Sequence, residues 1–120
     1  MDDTRIRVEV EPTGSVESTL RLHGDIDVFA DDALAEAYAT ATANGATRLV
    51  LDFADVGYIN STGIALIVRL LAEARRDRRE VVAVSLTEHY REIFRITRLS
   101  DYLTIVDAPA AAGSLEEATR

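Results

Sequence analysis

Polar and apolar residues alternate through residues 5–11 (RIRVEVE), which places Ile6, Val8 and Val10 on one side of an extended chain. Period two over this length predicts a strand with one solvated face. Residues 12–15 (PTGS) read as a turn. Alternation resumes over residues 18–24 (STLRLHG) with Leu20 and Leu22 inward, so the first two strands are expected to form an antiparallel hairpin. The period then changes. A helix beginning near Ala30 or Asp31 is rich in alanine over residues 33–43, and Asn44-Gly45 supplies its stop. Residues 47–53 (TRLVLDF) lack clean alternation around Leu49, Val50 and Leu51, as expected of a strand covered on both faces.

Further on, residues 61–77 predict a second helix, residues 80–86 (EVVAVSL) a buried strand, and residues 88–97 an amphipathic helix with Ile93, Phe94 and Ile96 inward. Residues 103–107 (LTIVD) read as a last strand, and AGSLEEATR as a short closing helix. The order is β-β-α-β-α-β-α-β-α. An initial hairpin followed by alternating helices and strands predicts an α/β fold with a mixed sheet whose later strands are parallel. Connections are short and no repeat or linker interrupts them, so residues 1–120 read as a single domain. Its core spans about residues 5–112, and residues 113–120 form a tail.

Within the second helix, Ile64, Ile67, Val68 and Leu71 fall on one stripe at 100° per residue and are expected to face the sheet. Leu66 and Leu70 point away from that stripe. Either another helix covers them or they form an apolar binding patch. The helix opens on Asn60, Ser61, Thr62 and Gly63. Ser61 is expected at the N-cap, where a hydroxyl accepts from a first-turn amide. The same position could carry chemistry: a helix N-terminus holds about half a positive charge and unpaired amides, so a phosphate on Ser61 would be accommodated rather than strained. Upstream, Asp25, Asp27, Asp31 and Asp32 crowd one loop, which in this topology can reach the same sheet edge as Ser61. Helix capping accounts for Asp31 and Asp32 and leaves Asp25 and Asp27 for a partner.

Composition narrows the chemistry. The 120 residues carry a formal charge of −8, with 13 basic and 21 acidic side chains. That balance disfavours nucleic acid and anionic membranes as partners and favours a basic protein surface. All the basic residues are arginine, and there is no cysteine, which excludes thiol catalysis and cysteine metal sites. His23 and His89 form no ligand pair. The start, MDDTRIRVEV, lacks a basic segment followed by an apolar one, and the longest apolar run, residues 64–68, is too short to span a bilayer, so a cytoplasmic protein is expected. A serine hydrolase would need His23, oriented by Asp25, as base to Ser61, but the G-x-S-x-G elbow is missing. A phosphoaccepting receiver built on Asp52 would need a lysine, and the chain has none.

Three stretches, GDIDVFAD, LVLDFADVGYINSTGIALIV and SLTEHYREIFRITRLSDYLTIVD, resemble the STAS domain of bacterial anti-sigma factor antagonists. The resemblance covers nearly the whole chain. It implies a four- to five-stranded mixed sheet with about four helices largely on one face. It also implies a phosphoacceptor at Ser61, with Thr62 the weaker candidate, in a loop shaped by Asn60 and Gly63. Asp27 and Asp25 fall at the family's acidic loop positions and, with Leu66 and Leu70, are the expected partner contacts. The partners implied are an anti-sigma factor that is itself a serine kinase, which would bring ATP and Mg²⁺, and a phosphoserine phosphatase. The chain itself is expected to be no enzyme, with no cofactor or metal of its own. One residue departs from the pattern: Asn60 stands where the commonest motif has Asp, and Asn supplies neither charge nor base. The alternative is therefore an unphosphorylated STAS scaffold or interaction subunit.

Overall fold

A computed structural model describes residues 5–106. Strand β1 (Arg7–Pro12) turns back antiparallel on β2 (Glu17–Ile26), with Val10 opposite Leu20 and Val8 opposite Leu22. A 3₁₀ turn (Val28–Ala30) leads into α1 (Asp31–Ala43), followed by β3 (Arg48–Ile59), α2 (Ser61–Arg76), β4 (Glu80–Val84) and α3 (Glu88–Ile96). A second 3₁₀ turn (Leu99–Asp101) precedes β5 (Thr104–Val106). The sheet runs β1-β2-β3-β4-β5, and every pair after the hairpin is parallel. The closing helix expected for AGSLEEATR lies outside the described residues.

Each parallel step advances in the same direction across the sheet. Right-handed crossovers then put α1, α2 and α3 on one face. Burial follows that geometry. Leu20, Leu22, Leu49, Leu51, Phe53, Val81 and Ala83 belong to one core cluster with Leu34, Tyr38, Ile67, Leu71 and Phe94 from the helices. Phe53 and Phe94 meet edge to face with centroids 5.9 Å apart, an arrangement preferred by aromatic quadrupoles. The opposite face carries charged pairs such as Arg21 with Glu11.

The structure corrects several expectations. Strand β3 continues to Ile59, six residues beyond the expected end at Phe53. In its first half it does alternate: Leu49, Leu51 and Phe53 are buried, while Val50 and Asp52 are half-buried on the open face. On α2 the buried positions are Gly63, Ile67, Leu70, Leu71 and Ala74, a stripe rotated by roughly two thirds of a residue step from the expected one. Val68 is consequently exposed, and Leu70 is buried beside Leu34 and Tyr38 of α1. Ile96 is also exposed, because α3 ends there and the helix reaches the core through Phe94 and, in part, Tyr90 and Ile93.

Candidate functional site

The parallel strands β2 and β3 end side by side, Ile26 opposite Ile59. The segments that leave them, residues 27–30 and 60–63, therefore share one edge of the sheet. This is the carboxyl edge, where open α/β sheets place their sites. Two contacts fix the approach. The Asn60 amide donates to the Ile26 carbonyl at 3.3 Å. A Cβ on Gly63 would sit 1.9 Å from that same carbonyl oxygen, so only glycine lets α2 start against β2.

The N-cap of α2 is Asn60, not Ser61. Its backbone is extended, and its Oδ1 accepts from the Gly63 amide at 2.8 Å. The Asn60 carbonyl accepts the first helical bond from Ile64 at 2.9 Å. Asn, Asp and Ser cap comparably well, and here the residue one position earlier has the extended backbone that a cap requires. Ser61 is thereby the first helical residue. It is exposed, as is Thr62, and the cap bond makes no use of its hydroxyl. From the sheet side, Tyr90 of α3 anchors the same junction, its Oη accepting from the Ile59 amide at 2.9 Å.

Asp27 caps the first 3₁₀ turn through an Oδ1 bond from the Phe29 amide at 3.0 Å. Asp25 is half-buried, and its carboxylate lies over Gly57, where a Cβ would come within 2.9 Å. Both acids thus stand at the Ser61 edge, each with a local structural contact as well. Asp31, at the start of α1, pairs with Arg69 of α2. Leu66 is half-buried and Leu70 is 6% exposed, so the seam between α1 and α2 takes up most of the apolar surface they could offer a partner.

Three residues of the edge escaped the sequence reading. Val28 is 58% exposed, Phe29 65% and Tyr58 57%. The 3₁₀ turn that carries Val28 and Phe29 packs against α1 and α2, and the Arg5 guanidinium lies 5.9 Å from the centre of the Phe29 ring. Asp25, Asp27, Val28, Phe29 and Tyr58 thus lie on the two segments that meet at the Ser61 edge. Tyr58 was legible in principle, since continuing period two past Phe53 turns it outward; the register shifts between β2 and β3 hide that continuation. His23 is elsewhere: its ring bridges Glu9 and Asp55 at 3.1 and 3.0 Å rather than Ser61 and Asp25. Among the described residues, no group of three or more His, Asp or Glu is arranged to hold a metal ion. No helix among them is long and apolar enough to cross a membrane.

Comparison with known proteins follows the same lines. The anti-sigma-B factor antagonist of Listeria monocytogenes is 26% identical over 100 residues, covering 83% of this chain and 88% of that protein. Its Staphylococcus aureus counterpart is 23% identical over 86 residues, covering 72% and 80%. Among solved structures, an anti-sigma factor antagonist from Mycobacterium paratuberculosis superposes with a TM-score of 0.71 at 20% identity, covering 99% of this chain and 98% of that one. The anti-sigma factor antagonist SpoIIAA in its unphosphorylated form gives 0.69 at 16% identity, covering 93% and 97%. At these identities the structural likeness establishes the fold. The family described as "Mlab, STAS domain" matches residues 11–107, and the chain belongs to the STAS-domain family.

Proposed function

We propose that this protein is an anti-sigma factor antagonist, a binding protein rather than an enzyme, whose affinity is switched by phosphorylation of Ser61. The unphosphorylated edge around Asn60, Ser61, Asp25, Asp27, Val28, Phe29 and Tyr58 binds an anti-sigma factor of the serine kinase type. That partner supplies ATP and Mg²⁺. The Ser61 Oγ attacks the γ-phosphorus, ADP leaves, and the hydroxyl proton passes to a base of the kinase. A phosphoserine phosphatase returns the hydroxyl.

The observation that carries the reading is the division of labour at the helix start. Asn60 makes the cap bond, so the exposed Ser61 hydroxyl can be modified without uncapping α2. The new group, at about −1.5 to −2 charge, sits on the positive end of the helix. It therefore changes the docking surface and leaves the fold intact. The names of the Listeria and Staphylococcus relatives support the partner class. A second reading has its own observation: Asn60 is neutral where the family pattern carries Asp, which would suit a binder that is never switched.

Titration calorimetry of the partner anti-sigma factor against three forms separates the two. Ser61→Ala is expected to bind like the natural chain. Ser61→Asp is expected to bind at least about tenfold more weakly, because a fixed charge at a desolvated contact costs on the order of 1.4 kcal/mol or more. Equal affinity of Ser61→Asp and the natural chain would remove the charge switch and leave the unswitched scaffold.

A further inference from the structure

Away from Ser61, the second half of α2 and the second 3₁₀ turn border a half-open hollow of about 480 Å³. Leu71 and Leu99, 2% and 3% exposed, form its floor. Val68 and Tyr102, both exposed, form its walls, and Arg75 and Arg76 stand at one side. The size falls within the range of small-molecule sites, and the lining follows their usual recipe of apolar walls with a few polar groups.

The two arginines set the ligand chemistry. The Arg75 guanidinium lies over the Tyr102 ring at 5.0 Å, so its position is held before any ligand arrives. Among the described residues Arg75 and Arg76, like Arg7 and Arg78, have no carboxylate partner, while Arg21, Arg48, Arg69, Arg79, Arg95 and Arg98 each do; of the four without one, only Arg75 and Arg76 line the hollow. In a chain with 21 acids to 13 bases, the described lining of this hollow carries two adjacent guanidiniums and no acid. Placement in the last turn of α2 suits both to the helix dipole. It does not account for an apolar cavity opening between them and Leu99. We infer that this cavity binds a small apolar carboxylate, with the hydrocarbon or ring against Val68, Leu71 and Leu99 and the carboxylate against Arg75 and Arg76. Arg is the side chain best shaped to hold a carboxylate through two parallel hydrogen bonds.

Amide NMR titration of the full chain tests the site with decanoate as probe and decanol and decylamine as controls. Decanoate is expected to shift residues 68–76 and 99–102 with a Kd on the order of 1 mM or tighter, as its size allows. Arg75→Gln/Arg76→Gln is expected to weaken it about tenfold or more, with the remaining spectrum unchanged as the control for folding. Binding of decanol or decylamine as tight as that of decanoate would overturn the assignment, as would shifts that ignore the double variant or no shift at the cavity. Two ligand-free experiments identify rival occupants. Cavity shifts on raising the protein concentration would assign the hollow to a second copy, and cavity shifts in Glu116→Gln/Glu117→Gln to the chain's own end; either result overturns the carboxylate site.

Discussion

At the start of α2, three neighbouring residues hold three separable duties. Asn60 caps, Gly63 permits contact with β2, and Ser61 is exposed between them. Replacing each should give a different stability, read by urea unfolding. Ser61→Ala is expected to stay within about 0.5 kcal/mol of the natural chain, as substitutions of exposed residues generally do. Asn60→Ala should lose about 1 kcal/mol with the cap bond. Gly63→Ala should lose roughly 3 kcal/mol or more, because a methyl 1.9 Å from a backbone carbonyl oxygen forces the strand and helix apart. The size of the Ser61→Ala effect is where the geometry and the sequence disagree. Placing the cap on Ser61 predicts a cost of about 1 kcal/mol, whereas the extended backbone at Asn60 moves that cost one residue earlier.

Among the elements, α1 and α2 are tied by a hydrogen bond of 2.7 Å from the Tyr38 hydroxyl to Asp77, at the end of α2. Burial, then that bond, raises the Tyr38 hydroxyl from its ordinary pKa of 10.0 to about 12. An acid with a raised folded pKa keeps its proton after the unfolded chain has lost it. The tie therefore contributes fully below pH 10 and is lost as pH rises from 10 towards 12, a change on the order of 2 kcal/mol. Stability against pH should fall across this window, and Tyr38→Phe should flatten the slope. A slope that Tyr38→Phe leaves unchanged would place the titrating group elsewhere. Legibility also divides by element. The hairpin, the Asn44-Gly45 stop and the buried β4 follow from short-range pattern and turn chemistry, and each appears with its ends within about two residues of where the sequence places them. The second half of β3 does not, because two irregularities against β2, one between Asp52 and Asp55 and one between Val56 and Ile59, shift its parity and then restore it, and so imitate a loop. Val68 and Leu70 exchange roles because periodicity locates a helical stripe only to within a residue step. The choice depends on α1, which covers Leu70. Val28 and Phe29 are apolar residues that period alone would assign to the core; their exposure depends on the tertiary placement of the 3₁₀ turn.

For the molecule as a whole, the decisive quantities are charge and its location. At −8 before modification, the chain falls to about −10 with one phosphate. Part of that charge, Asp25 and Asp27, stands at the end of β2 and in the turn that follows it, on the Ser61 edge. Association with a basic partner surface should therefore be electrostatically steered. Stopped-flow on-rates are expected to fall several-fold as ionic strength rises past about 0.1 M, where the Debye length shrinks to roughly 10 Å. Asp25→Asn should lower the on-rate more than the off-rate. A salt-independent on-rate would shift recognition to the apolar residues Phe29 and Tyr58. The sheet topology makes this concentration of features possible, since it alone brings the end of β2 and the start of α2 together from residues more than thirty positions apart.

The switch itself is tested most directly by the intact mass of the protein taken from its own cells, followed by fragmentation of the peptide that contains Ser61. The account predicts a population heavier by one phosphoryl group, with the phosphate on Ser61 and absent from the Ser61→Ala variant. A single unmodified mass under several stress conditions, and again after incubation with the partner kinase and ATP, would contradict it.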